Sequence, residues 1–545
     1  MGYKLVGYFE NWAQYRQAGG KFLPAQINAS LFTHINFAFG LFGFVTWSVD
    51  RTDTRTRDQR YTGDFTIQPV EWDDQSELYP ALQKLKGSNP SLKTLLSIGG
   101  WSMNSGDDQP TAGNQHPYGP YTYRLFSQMS ANPAGRTQFI TSAISYAQQY
   151  GFDGIDIDWE YPAYLSRGGT PDDLANFLTL VQEFRASVPS GFLLTMAAPA
   201  IVPIGVPQQY HADPQSYFAW LAQCAAELDW LNVMTYDFHG AFDPITGVNA
   251  PLAQDSVPGG PFSMANTVTA YLAAAIPKEK IVLGMPTYGR SFSVSGGLTD
   301  SDHSYGKPAT AAPAGPATAT PGVLAYYEIA PRLASGDLVR VWDDTTLTPY
   351  AYSTESGEWV TYDDTQSLAY KAAYVNAMGL GGAMVWAIDD DDFQGGFPLI
   401  QEIKSVLDDP SKGPQLPAGL VTGDWVPTLA DAILNALDLG NARTSALNVL
   451  FFVCAVEGNI DATKFINNNK VDDVADPGDA QVFRDAACTF SALNGAIGSG
   501  ASDNSTTEQS FYVWTSGCRQ ALRLRPARNC CHSYGRSSRL PRKRA

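Results

Sequence analysis

Over its first 450 residues the chain has one cysteine, Cys224. A lone thiol closes no disulfide within that stretch, so its core must hold by burial and hydrogen bonding. The other five, Cys454, Cys488, Cys518, Cys530 and Cys531, fall in the last quarter. Any bridges belong there, and their pairing cannot be read from spacing. No apolar run approaches the ~20 residues that cross a bilayer; residues 447–456 are far too few. Met1-Gly2 runs straight into a strand-like segment, which does not read as a secretory leader, and Val6 stands where a myristoylation signal needs Ser or Thr. A cytosolic protein and a mature or incomplete chain both fit. Cations are scarce as well: 36 Lys and Arg stand against 54 Asp and Glu, a formal charge of −18. That balance argues against a general affinity for nucleic acid or an anionic membrane and favours a neutral or cationic partner. The scarcity is uneven, because 519–545 hold nine Lys or Arg and no acid. This end reads as a basic, disordered tail. A phosphate cradle is missing too: Gly99-Gly100 has neither a GxGxxG frame nor a following lysine, and reads as a tight turn.

What the chain does have is apolar material: 44% hydrophobic and 12% aromatic residues over 545 positions. Eight apolar runs have the length of buried strands: 4–9, 34–39, 93–98, 152–158, 193–197, 230–234, 281–285 and 382–386. The later ones follow helix-compatible stretches such as 172–187 and 367–378. Strands alternating with helices at this spacing predict an α/β fold, a (β/α)8 TIM barrel over residues 1–405. The stretch 291–373, rich in Gly, Ala, Pro, Tyr and Trp, is too long for one connection and is expected to be an α+β insertion subdomain beside the barrel mouth. Pro-rich residues 406–422 read as a linker, 423–518 as a small, mostly helical C-terminal domain, and 519–545 as the tail.

The densest chemistry lies in the fourth run, where Asp156, Asp158 and Glu160 alternate with Ile157 and Trp159. Strand side chains alternate faces, so the three carboxylates share one side. Such a row repels itself unless protons are shared or the site is used. The plain alternative is the polar outer face of an amphipathic strand. Against it, the acids gather at the C-terminal end of the strand, where parallel barrels carry their chemistry. Asp153 is out of phase with the other three and is expected to cap or tether the strand start, a structural role.

With this strand placed in a barrel, Asp153-x-x-Asp156-x-Asp158-x-Glu160 resembles the signature of family 18 glycoside hydrolases, the chitinases and their relatives. Ser97-Ile98-Gly99-Gly100-Trp101 is similar to the family's third-strand motif and Met234-Thr235-Tyr236-Asp237 to its sixth. Tyr288-Gly289-Arg290-Ser291-Phe292 is similar to its seventh, and Trp386 to its eighth-strand tryptophan. The resemblance spans residues 1–405. It implies hydrolysis of β-1,4-N-acetylglucosamine linkages in chitin or chitooligosaccharides, with Glu160 as general acid/base. The family is substrate-assisted, so the sugar's own N-acetyl group would attack its anomeric carbon and give an oxazolinium ion. Asp158 would hydrogen-bond the acetamide N–H and Tyr236 its carbonyl, while Asp156, beneath, shares a proton with Asp158 and raises the pKa of the group above. Asp237 would bind a neighbouring hydroxyl, and Trp386 would be the stacking floor. Tyr8, Phe39, Met234 and Tyr288 would wall the pocket, and Trp101 and Arg290 would contact further sugars; each also reads as barrel packing. The resemblance further implies cis peptides at Ala38-Phe39, Glu160-Tyr161 and Trp386-Ala387, no cofactor or metal, an extracellular location and a monomer.

Three alternatives stay open on sequence. An inactive chitin-binding lectin on the same barrel is disfavoured by the presence of Glu160. An endo-acting N-acetylglucosaminidase on glycoproteins would keep the chemistry and change the substrate. The Asp-x-Asp row could hold Mg²⁺ or Ca²⁺.

Overall fold

The computed structural model describes residues 2–45, 60–104, 122–200, 205–210, 214–254, 256, 262–421, 510–515 and 518–523. Eight strands form the centre: β1 (Lys4–Glu10), β2 (His34–Phe42), β3 (Lys93–Gly99), β4 (Gly154–Asp158), β5 (Leu193–Pro199), β6 (Trp230–Met234), β7 (Ile281–Pro286) and β8 (Gly382–Trp386). Each pairs in parallel with the next, and β8 pairs with β1, which closes the barrel. A parallel strand covered on both faces needs apolar residues on both, which is why these segments appear as continuous runs in the sequence. The helices between them carry their own stop signals. Pro133–Tyr150 starts on Asn132, whose side chain accepts from the N–H of Ala134, and ends on Gly151 at φ 77°. Thr365–Met378 starts on Asp364, which accepts from the N–H of Ser367.

The insertion is an antiparallel sheet. Its first strand, Tyr288–Val294, begins directly after β7, where Pro286 ends the barrel strand. Ala309–Ala311, Val323–Ala325, Val339–Asp343, Thr348–Tyr352 and Glu358–Thr361 complete it, with one helix, Tyr326–Ser335. Alternation gives the sheet two buried faces. Phe292, Tyr350, Tyr352 and Trp359 pack on one side, and Ala351, Val360, Leu324 and Ile329 on the other. The sheet therefore starts at 288, three residues before the expected boundary, and its first strand carries Tyr288 and Arg290 at the barrel rim.

The expected linker begins inside the helix Pro398–Asp408 and continues through the turn Pro410–Lys412. Residues 422–509, with nearly all of the expected helical domain, and 524–545, with most of the basic tail, lie outside the described residues. Between them, Ser510–Thr515 and Cys518–Arg523 pair as an antiparallel hairpin.

Candidate active site

Register decides what touches Asp156. Ser97 on β3 and Thr195 on β5 are its Cα partners on either side. Ser97 Oγ donates to Asp156 Oδ2 at 2.7 Å, and Thr195 Oγ1 donates to Oδ1 at 2.6 Å. The Tyr8 hydroxyl on β1 adds a 2.7 Å bond to Oδ2, and Asn232 Nδ2 on β6 a 3.0 Å bond to Oδ1. The amide of Asn232 is held in that sense because its oxygen accepts from Trp230 Nε1 at 2.9 Å. Burial raises the pKa of Asp156, and the four donors oppose the rise. Sequence reasoning expected a proton shared with Asp158. It is not among these bonds, because four donors from four strands already give each oxygen two partners.

Asp158 is 3% exposed, and its Oδ1 is buried with no hydrogen-bond partner. Burial drives its pKa well above the carboxylate range, and the charges of Glu160 and Asp156 push it further. Glu160 follows two residues after β4 ends. Burial pushes its carboxyl up to about 7; Arg167 works against that rise, and the charge of Asp237 adds to it. A carboxylic acid half-protonated near neutral pH can both give and take a proton. The peptide bonds Ala38-Phe39, Glu160-Tyr161 and Trp386-Ala387 are all cis.

The turn after β3 brings a second wall to the acids. Gly99 has φ 121°, and a Cβ there would stand 2.1 Å from the carbonyl oxygen of Asp158. Gly100, at φ 86°, lies against the Phe39 ring and donates its N–H to the same carbonyl at 2.9 Å. Only glycine permits this approach. Trp101 then stands out at 43% exposure.

Aromatic rings continue from Phe39. Trp386 at the end of β8 stacks on Phe39 with ring centres 5.7 Å apart and meets Tyr8 at 5.3 Å. Trp12, which sequence reasoning did not single out, stacks on Phe39 at 5.9 Å and joins the same group. Tyr236 is buried, lies edge-on to Tyr288 at 6.2 Å, and places its hydroxyl 4.0 Å from Met384 Sδ, a weak acceptor. Met234 is half-buried at the end of β6. Asp237 is held by the insertion: Tyr288 Oη and Arg290 Nε donate to its Oδ1 at 2.5 and 2.8 Å. Asp237 itself sits at φ 57°, with its N–H donating to Asn249 Oδ1 at 2.9 Å. Arg290 thus reaches an acid of the site directly.

Asp153 stands apart from these groups at the start of β4. Its carboxylate bridges Lys86 and Lys93 at 2.7 and 2.9 Å and accepts from the N–H of Thr94, which lowers its pKa. Among the described residues, the one cluster with the spacing of a metal site is Glu10, Asp389 and Asp390, and Arg16 is already ion-paired with all three. Asp156, Asp158 and Glu160 do not form such a cluster. Of the residues missed from sequence, Thr195 and Asn232 did carry a signal: each is a polar residue inside an otherwise apolar strand run. Arg167 carried none.

A closed parallel barrel with a neutral-pKa carboxylic acid above two buried aspartates at its C-terminal mouth, faced by stacked aromatics, belongs to the class of barrel proteins that hold their chemistry at strand ends. Residues 4–391 match the Glycosyl hydrolases family 18 pattern, and the chain belongs to that family. It is similar to Chitotriosidase-1 of Mus musculus, at 36% identity over 439 residues, 77% of this chain and 81% of that one. Among solved structures it is similar to the Group II chitinase catalytic domain 2 of Ostrinia furnacalis, with a TM-score of 0.61 at 31% identity over 77% of this chain and 99% of the other. It is also similar to human YKL-39, described as a pseudo-chitinase with retained chitooligosaccharide binding, with a TM-score of 0.58 at 30% identity over 75% of this chain and 100% of that one. The relatives thus include chitinases and a sugar-binding protein without the activity.

Proposed function

We propose that this chain is a chitinase that hydrolyses β-1,4 linkages between N-acetylglucosamine units by a retaining, substrate-assisted route. The observation that carries the reading is Asp158 Oδ1, a buried carboxylate oxygen without a partner between a saturated Asp156 and a protonatable Glu160. Buried polar atoms need partners, and the N–H of a substrate acetamide is one. Glu160 gives its proton to the glycosidic oxygen as the C1–O bond breaks, and the acetamide oxygen bonds to C1. Asp158 accepts from the acetamide N–H, and the Tyr236 hydroxyl donates to the acetamide oxygen. Glu160, now a carboxylate, takes a proton from water as that water opens the oxazolinium ion at C1. Trp386, backed by Phe39, offers a flat apolar face to the sugar's C–H groups. The insertion strand that holds Asp237 through Tyr288 and Arg290 deepens one wall, which suits a long linear polymer. An extracellular monomer acting on chitin or chitooligosaccharides, without metal or cofactor, fits this chemistry.

Reducing sugar released from colloidal chitin by wild type and not by Glu160→Gln is the expected result. Equal release by both sinks the reading. Binding of chitin oligomers without release by either would make the chain a lectin instead.

A further inference from the structure

Between Glu160 and the helix Asp173–Ser187 lies a short loop whose only buried cation is pinned in place. Asp173 is fully buried and accepts from Thr170 N and Oγ1 at 2.7 Å each, from Ser127 Oγ at 2.6 Å and from Ala163 N at 3.2 Å. The turn Leu165–Arg167 ends on Gly168 at φ 79°, where a Cβ would stand 2.1 Å from the carbonyl oxygen of Tyr123. The loop is therefore fixed at both ends, and it delivers Arg167 back to the site. Arg167 Nε donates to the backbone oxygen of Glu160 at 2.7 Å, and its Nη2 donates to the backbone oxygen of Trp101 at 2.6 Å. Its guanidinium carbon lies 3.4 Å from the centre of the Trp101 ring.

We propose that Arg167 is a positioning residue that ties Glu160 to the sugar-facing indole of Trp101. One planar group makes three contacts: a hydrogen bond to the exit of β4, another to the exit of β3, and a stacked face that sets the angle of an otherwise exposed ring. Lysine cannot reproduce this, because an ammonium is a point charge without a plane. The charge also acts on the acids, since Arg167 is the first group that opposes the rise in pKa at Glu160 and opposes it at Asp158 too. The proposal takes from the reading above only that Glu160 and Trp101 face a bound sugar.

Its test uses the full chain as wild type, Arg167→Lys and Arg167→Met. The Glu160 carboxyl is titrated by carboxyl-13C NMR, with Glu160→Gln assigning the resonance, and chitin-oligomer affinity is read from tryptophan fluorescence, with Trp101→Phe as control. Arg167→Met is expected to raise the Glu160 midpoint by roughly 0.5–1 pH unit and to weaken the oligomer-induced signal about tenfold. Arg167→Lys is expected to keep the midpoint near wild type yet lose the signal to a similar extent. A midpoint unmoved in a folded Arg167→Met overturns the proposal, and so does full affinity in Arg167→Lys, which also decides the matter if Arg167→Met does not fold. Neither readout needs turnover. A wild type that cleaves nothing while these shifts appear overturns the chitinase reading and leaves the positioning role standing.

Discussion

The hydroxyl of Tyr8 donates to Asp156 Oδ2 at 2.7 Å, joining the first strand of the barrel to the fourth through its centre. It is one of four donors on a fully buried carboxylate, and a hydrogen bond to a charged group contributes about 1.5–3 kcal/mol. Tyr8→Phe keeps the ring against Trp386 and removes that donor. We expect kcat on chitin oligomers to fall roughly 10- to 100-fold with the fold intact; an unchanged kcat would show that the Tyr8 bond to Asp156 plays no part.

As the proposed proton donor, Glu160 would have to be protonated, and burial puts its carboxyl at about 7. The alkaline limb of kcat/KM should therefore fall through a midpoint near 7, well above the ~4.3 of a free glutamate. A limb set at pH 5 or below would assign the proton to another group.

The charge of Asp237 raises the pKa of Glu160. Asp237→Asn removes that charge, so the alkaline limb should move to lower pH, the direction opposite to that expected for Arg167→Met. A pH–rate profile of the single variant decides it, and movement upward would contradict the electrostatics described.

Gly99→Ala places a methyl 2.1 Å from the Asp158 carbonyl oxygen at a backbone angle of φ 121°. Backbone must move at the base of the site, and the expected loss is about 3 kcal/mol or more. Urea unfolding with a midpoint equal to wild type would refute the close approach.

Asp153 has a pKa held below its usual value by hydrogen bonds from Lys86, Thr94 and Lys93. A depressed carboxyl stabilises the fold above its unfolded pKa of about 3.9 and loses that contribution as pH falls through the lower, folded value. Asp153→Asn should be less stable than wild type at pH 7, by about 1 kcal/mol because solvent screens the pairs. The gap should close as pH falls through that folded value, and a gap of equal size at neutral and strongly acid pH, read by urea unfolding, would assign the loss to something other than charge.

The sequence alone determined the eight strands, the insertion and the acidic row, because these are local patterns. Strand alternation is written in neighbouring residues, and a strand buried on both faces leaves a continuous apolar run. Gly99-Gly100 was legible as a turn for the same reason, although not as the glycine approach to Asp158. The tertiary structure alone decided what Asp156 touches, since its four donors come from β1, β3, β5 and β6 and meet only when the barrel closes. It decided that Asp237 is held by the insertion, through Tyr288 and Arg290 some fifty positions on. It also decided that Arg167, an ordinary arginine in the linear chain, returns to the acid site. Hydrogen-bond partners and burial depend on distance through space, and no periodicity along the chain records that distance.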